Sequence, residues 1–215
     1  MTVPDWLRPV IAAQSRTQQF RRYSLPPGAT ARPSAVLLLF GESDGAPDVL
    51  LTERASGLRS HAGQVSFPGG AIDPDDDGPA AAALREAAEE TGLEPAGVHV
   101  LGTLPTQWIP VTNYAVTPVL AWWREPSPVR VVDPAEVASV HRIRLDDLLD
   151  PANRFQIRHP SGMIGPAFQV GALLVWGFTA GVLARLFKVA GMDKPWDRTR
   201  IHPDVALVRQ RRGEQ

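Results

Sequence analysis

Residues 50–93 hold this chain to a narrow set of folds, because they place a Gly-Gly turn, an acidic run and a glutamate-rich helix in direct succession. Glu86, Glu89 and Glu90 stand at spacings of three and four, so a helix lines their carboxylates along one side. Leu84, Ala87, Ala88 and Thr91 supply a contrasting, mostly apolar face that can pack on a sheet. Like charges crowded together repel, and the simplest positive partner for oxygen donors is a divalent cation, magnesium or manganese. For an arbitrary glutamate cluster the alternative is a solvated helix face, so the surroundings must decide.

The surroundings carry two motifs. Downstream of Gly69 and Gly70, the run Arg85-Glu86-Ala-Ala-Glu89-Glu90-Thr-Gly92-Leu93 resembles the signature of the Nudix hydrolases, G-x5-E-x7-R-E-U-x-E-E-x-G-U with U apolar. That family hydrolyses diphosphate bonds joining a nucleoside diphosphate to another group. Counted from Gly70, Arg85 falls one place later than the signature requires, and the first signature glutamate has no counterpart beyond the run Asp75, Asp76 and Asp77. Upstream, Leu50-Leu51-Thr52-Glu53-Arg54-Ala55, Arg59, Gly63 and Phe67-Pro68-Gly69-Gly70 look like L-L-T-x-R-[SA]-x3-R-x3-G-x3-F-P-G-G. That pattern marks the coenzyme A pyrophosphatase subfamily, whose members share the one-residue expansion, and every specified position is filled.

The resemblance implies an α/β fold, the Nudix α/β/α sandwich with a mixed β-sheet, its glutamate helix at the active edge. It implies attack of water on a diphosphate with the help of Mg2+ or Mn2+, and coenzyme A cleaved to 3′,5′-ADP and 4′-phosphopantetheine. Glu86 and Glu90 are the implied primary metal ligands, with the carbonyl of Gly69. Glu89 is either a further ligand or the general base, and Arg85 orients the glutamates. Substrate contacts are expected from Arg54, Arg59, His61, Gly63, Phe67 and Gly70. Guanidinium forks at Arg54 and Arg59 suit phosphate oxygens, although both also read as surface arginines. His61 serves either a phosphate or a hydrogen bond within its own loop. Glu136 is a further carboxylate of interest, as base, extra ligand or loop support. Alternative substrates are NADH, ADP-ribose and nucleoside triphosphates; a non-catalytic ligand-binding protein is the remaining alternative.

The whole chain of 215 residues can bury a sizeable core. A net charge of −1 lacks the basic excess of a nucleic-acid surface. Without cysteine there is no disulfide framework and no cysteine-ligated zinc. The N-terminus lacks the apolar core of a secretory signal, so a cytoplasmic location is expected. Residues 160–184 carry no charge, but prolines, Gln169 and five glycines read as a turn, a buried strand and a buried helix, not a membrane span. The expected partner is a small-molecule nucleotide, with neither nucleic acid nor membrane; a homodimer stays open.

In chain order, we expect an N-terminal extension over 1–33 holding a short amphipathic helix at Trp6, Leu7, Val10 and Ile11. A Nudix domain over 34–190 follows, including a C-terminal packing helix, and then a tail over 191–215. Residues 35–40 and 48–54 read as a hairpin joined by a loop over 41–47. Asp75, Asp76 and Asp77 read as caps of the glutamate helix. Residues 107–113 read as a loop, 114–123 as the longest strand, 134–145 as a late core strand, and 153–166 as a punctuated loop.

Overall fold

The computed structural model describes residues 3–20, 25–57, 61–159 and 162–202. Its centre is β1 (Arg32–Ser43). Leu37 and Leu39 face one side of it and Leu38 and Phe40 the other, all fully buried, as period-two side chains must be when both faces are covered. The expected hairpin forms with β2 (Ala46–Arg54). Its loop is much tighter than 41–47, because the strands pair as far as Ser43↔Ala46. Asp44 (φ 51°) and Gly45 (φ 73°) both take left-handed backbone, which matches the twist of a two-residue hairpin turn.

The sheet continues with β3 (Val65–Ser66), β4 (Gly69–Ala71), β5 (Val98–Thr103), β6 (Gln107–Ile109), β7 (Tyr114–Trp123) and β8 (Val137–Arg144). Its spine runs β3-β2-β1-β7-β5, with β4 on β1, β6 on β7 and β8 on β2. Only the β1–β7 pair is parallel among these described pairings, so the sheet is mixed, as expected. The loop expected over 107–113 is partly strand, because Gln107–Ile109 folds back on β7 and leaves only the turn to Asn113 (φ 55°).

Helices flank both faces. On one side lie α1 (Arg8–Gln14) and the C-terminal helix, where Leu7, Val10, Leu183 and Phe187 share a core with Leu38 and Phe40. On the other lies α2 (Gly78–Thr91), whose Ala82, Ala83 and Ala87 meet Leu37, Leu39, Leu50 and Val119. Alanine is the best helix former and its small side chain lets the helix approach the sheet. The result is the expected layered α/β architecture.

A second sheet was not foreseen. After α3 (Leu145–Leu149) come β9 (Arg154–Arg158), β10 (Ile164–Val170), β11 (Leu173–Val175), α4 (Gly177–Val189) and β12 (Ile201–His202). They form a sheet in the order β11-β10-β9-β12. The loop expected over 153–166 therefore contains a strand, in which buried Phe155 and Ile157 alternate with the more exposed Gln156 and Arg158. These two join Ala167 and Leu174 in a small core of their own. The described part of 160–184 is strand, turn and packing helix, and no helix among the described residues is long and apolar enough to cross a membrane.

One buried charge pair locks β2 to β8. Asp48, 0% exposed, pairs with Arg142 at 2.8 Å and accepts a hydrogen bond from Ser43 Oγ at 2.6 Å. Arg142 also lies over the Trp123 ring and donates to Glu42 O at 2.6 Å. Arg142→Met strands a buried carboxylate, so we expect about 3 kcal/mol of destabilisation by denaturant unfolding. Adding Asp48→Leu should recover part of it, and a double-mutant cycle without coupling would refute the pairing.

Candidate active site

The glutamate helix is steadied by the acidic run before it. Asp77 occupies the N-cap of α2 but makes no side-chain cap bond, so the capping expectation for Asp75, Asp76 and Asp77 is corrected. Asp76 instead accepts the backbone N–H of Asp73 at 2.8 Å and clasps Arg85, through Nε at 3.0 Å and Nη2 at 2.9 Å. A guanidinium fork meets both carboxylate oxygens, which a lone helix amide cannot do. Hydrogen bonding to Arg85 holds Asp76 below the usual carboxylate range, and the same contact pushes Arg85 further up.

Arg85 then works as a hub. It donates to Ala71 O, Glu86 and Glu89, each at 3.1 Å. This ties β4, the strand that contains Gly69 and Gly70, to the helix. Asp76→Asn should leave the fold intact by circular dichroism. It should nevertheless lower turnover by about tenfold, because the arginine loses the charge that aims it. Unchanged turnover would mean that Arg85 needs no anchor.

The three glutamates do not share one environment. Glu89 is 59% exposed and the Glu86 side chain 18%, whereas Glu90 is a buried residue at 5%. Each helical step turns about 100°, so Glu90 swings inward beside buried Ala87 and Thr91 while Glu89 stays out with Arg85. The single glutamate face of the sequence reading is thus two: an inner pair, Glu86 and Glu90, and an outer Glu89. Burial pushes Glu90 up to about 8, opposed by the nearby charge of Arg54 and by the Gly69 N–H, which donates to Oε2 at 3.4 Å. Burial raises Glu86 as well, with Arg85 opposing.

Gly69 and Gly70, expected as a turn, instead open the short strand β4 against β1 and form the other wall. Gly69 has φ 150°, and a Cβ there would lie 2.6 Å from Val36 Cα in the central strand. A Cβ on Gly70 would lie 2.6 Å from Glu86 Oε2. Only glycine lets this strand come so close to β1 and to the carboxylates.

The remaining positions divide. Arg54 joins the site: its charge acts on Glu90, and its Nε is buried without a hydrogen-bond partner among the described residues. Gly63 N–H donates to Arg54 O, and Arg54 N–H to Gln64 O, both at 2.9 Å, closing the loop beneath it. On that loop His61 (φ 58°) places Nδ1 2.9 Å from Gln64 Oε1, which is the hydrogen bond within its own loop. Phe67 is only 3% exposed and packs in the core, so its ring supports the core instead of facing a ligand. Arg59 lies outside the described residues. Glu136 is exposed at the end of a turn, one residue before β8 begins; its carbonyl accepts Ala55 N–H at 2.8 Å, and its charge helps raise Glu86 and Glu90.

The clasp of Asp76 on Arg85 and the Arg54–Glu90 juxtaposition are not among the sequence expectations. The vacant glutamate place in the signature was the signal for the first; nothing local announced the second. Among the described residues, no three His, Asp or Glu side chains stand gathered as a ready-made metal cage. The donors are all oxygens, though, and the inner carboxylates carry a burial penalty that a cation would relieve. The residues therefore suit a hard divalent ion such as magnesium.

A model of the NUDIX domain matches residues 30–161, and the chain belongs to the Nudix hydrolases, enzymes that split pyrophosphate linkages in nucleotide derivatives and generally use divalent metal ions. The protein named "Uncharacterized Nudix hydrolase NudL" in Escherichia coli is 41% identical over 147 residues, spanning 65% of this chain and 73% of that protein. The protein of the same name in Shigella boydii matches to the same extent. Among solved structures, the Nudix hydrolase RenU from M. Smegmatis aligns with a TM-score of 0.53 and 25% identity, covering 79% of this chain and 92% of that one.

Proposed function

We propose that this enzyme cleaves the diphosphate of coenzyme A or its derivatives, giving 3′,5′-ADP and 4′-phosphopantetheine. The observation that carries the reading is the inner carboxylate pair, Glu86 and Glu90, held against Gly69 and Gly70 within reach of the charge of Arg54, the first arginine of the subfamily pattern. Mg2+ or Mn2+ would be held by Glu86, Glu90 and the Gly69 carbonyl. When bound, such an ion lowers the pKa of water and neutralises charge on the bridging oxygens.

The chain's own groups do the rest. Arg54 offers its guanidinium to a phosphate oxygen, and that cation also favours the ionised form of Glu90. Glu89, the most exposed of the three and tethered only by Arg85 among the described residues, is our choice for the base that takes the proton of the attacking water. Arg85 keeps that carboxylate from wandering. Arg59 and the loop of His61 and Gly63 would border the substrate.

The substrate is tested by a side-by-side phosphate-release assay on coenzyme A, NADH and ADP-ribose with magnesium or manganese. We expect coenzyme A to show the highest kcat/KM, by about tenfold or more. Equal rates on all three would leave the substrate class open, and no cleavage of any would defeat the reading.

A further inference from the structure

Cations gather away from the glutamate helix, where α4 crosses the second sheet. A cavity of about 220 Å³ is bounded there by β9, β10, α4 and the segment after it. None of its lining residues belongs to β4, α2 or the 54–64 loop. Four cations meet in it, Arg154, Arg185, Lys188 and Arg198, against one carboxylate, Asp193. In a chain whose net charge is −1, such a concentration is not a sample of the average surface.

The cluster is built in. Arg154 is 2% exposed, with its guanidinium 5.2 Å from the Phe168 ring centre and 5.0 Å from that of Trp196. It pairs with Asp193, and its Nε is nevertheless buried with no hydrogen-bond partner among the described residues. Trp196 Nε1 is in the same condition, and Arg198 stacks 5.4 Å from that ring. Arg185 and Lys188, one helical turn apart on α4, are exposed at the rim. Solvated helix cations alone would make no site, but here they border a buried arginine that is fixed in an aromatic clamp and already takes up the one carboxylate of the cavity.

We propose that this cavity binds the phosphate group of a small anion. Forked guanidiniums match tetrahedral phosphate oxygens, and one carboxylate leaves most of the positive charge unanswered. The volume falls below the roughly 300 Å³ at which pockets begin to enclose whole drug-sized ligands, so it suits a phosphate head and not an entire dinucleotide. The assignment is independent of the hydrolase reading.

The test uses the full chain without divalent metal, titrated with inorganic phosphate and, separately, with adenosine 3′,5′-bisphosphate. The readout is the Trp196 indole N–H resonance, assigned with Trp196→Phe. We expect a saturable shift of that signal. Saturation by inorganic phosphate identifies a free phosphate site; saturation by the bisphosphate alone identifies a site for phosphate borne on a nucleotide. Arg185→Gln with Lys188→Gln, both at exposed positions, should weaken binding by about tenfold or more. Glu86→Gln with Glu90→Gln should leave it unchanged. No shift with either anion, a wild-type titration in the α4 variant, or loss of binding in the glutamate variant would overturn the proposal.

Discussion

Glu90→Gln is expected to abolish most turnover and yet to stabilise the metal-free protein above neutral pH. Glu89→Gln should also slow turnover, each by about 10²- to 10⁴-fold with the fold preserved, but without the gain in stability. The difference comes from burial. Glu90 sits 5% exposed, and its carboxyl is pushed up to about 8 from an ordinary value near 4.5. The folded protein thus binds a proton there that the unfolded chain releases. This contribution to stability is fully present below about pH 4.5, and it declines as pH rises until it is gone above about 8. Across that window the metal-free protein should lose on the order of a few kcal/mol, seen as a falling thermal midpoint. Glutamine carries no proton to lose, so the Glu90→Gln curve should be flatter. Parallel curves for the two proteins would show that Glu90 is not the group responsible, and wild-type turnover in Glu89→Gln would remove Glu89 from the mechanism.

That contrast between neighbours marks the limit of what the sequence could show. Spacing alone put Glu86, Glu89 and Glu90 on one side of a helix, because helical periodicity is a property of the chain. Which of them lies under the sheet's edge depends on how α2 docks, and docking is tertiary. The strongest strands were legible for the same local reason: β1 and β7 carry long apolar runs, and β2 carries Val49, Leu50 and Leu51. Of the second sheet only a buried strand within 160–184 was legible, because Gly165 and Pro166 inside β10 locally signal a loop and the pairing with β9 and β12 is tertiary. Asp76 was read as a cap since three aspartates before a helix satisfy that pattern. The choice of Arg85 over the helix amides was settled by a guanidinium nine residues away. Arg54 and Glu90 are far apart in sequence, and the charge of one reaches the other only through the tertiary fold.

The two glycines of β4 should separate folding from chemistry when each is given one methyl group. In Gly69→Ala the new Cβ would strike backbone, Ala35 O and Val36 Cα, the latter at 2.6 Å, and the residue would have to keep φ 150°. Both atoms belong to the central strand of the sheet and cannot move aside, so a loss of about 3 kcal/mol or more is expected, with activity falling because little enzyme stays folded. In Gly70→Ala the obstacle is the Glu86 carboxylate, whose carbon and both oxygens crowd the new Cβ (Oε2 at 2.6 Å) at the end of a side chain that can rotate. Stability should then change by only about 1 kcal/mol, whereas the displaced carboxylate lowers kcat by about a hundredfold, since a shift of one ångström in a catalytic group carries that penalty. Thermal midpoint and kcat, measured on both variants, therefore form a cross. A Gly70→Ala enzyme with normal kcat would mean that Glu86 can leave its place against Gly70 without consequence, and the inner pair would lose half of its claim to the reaction.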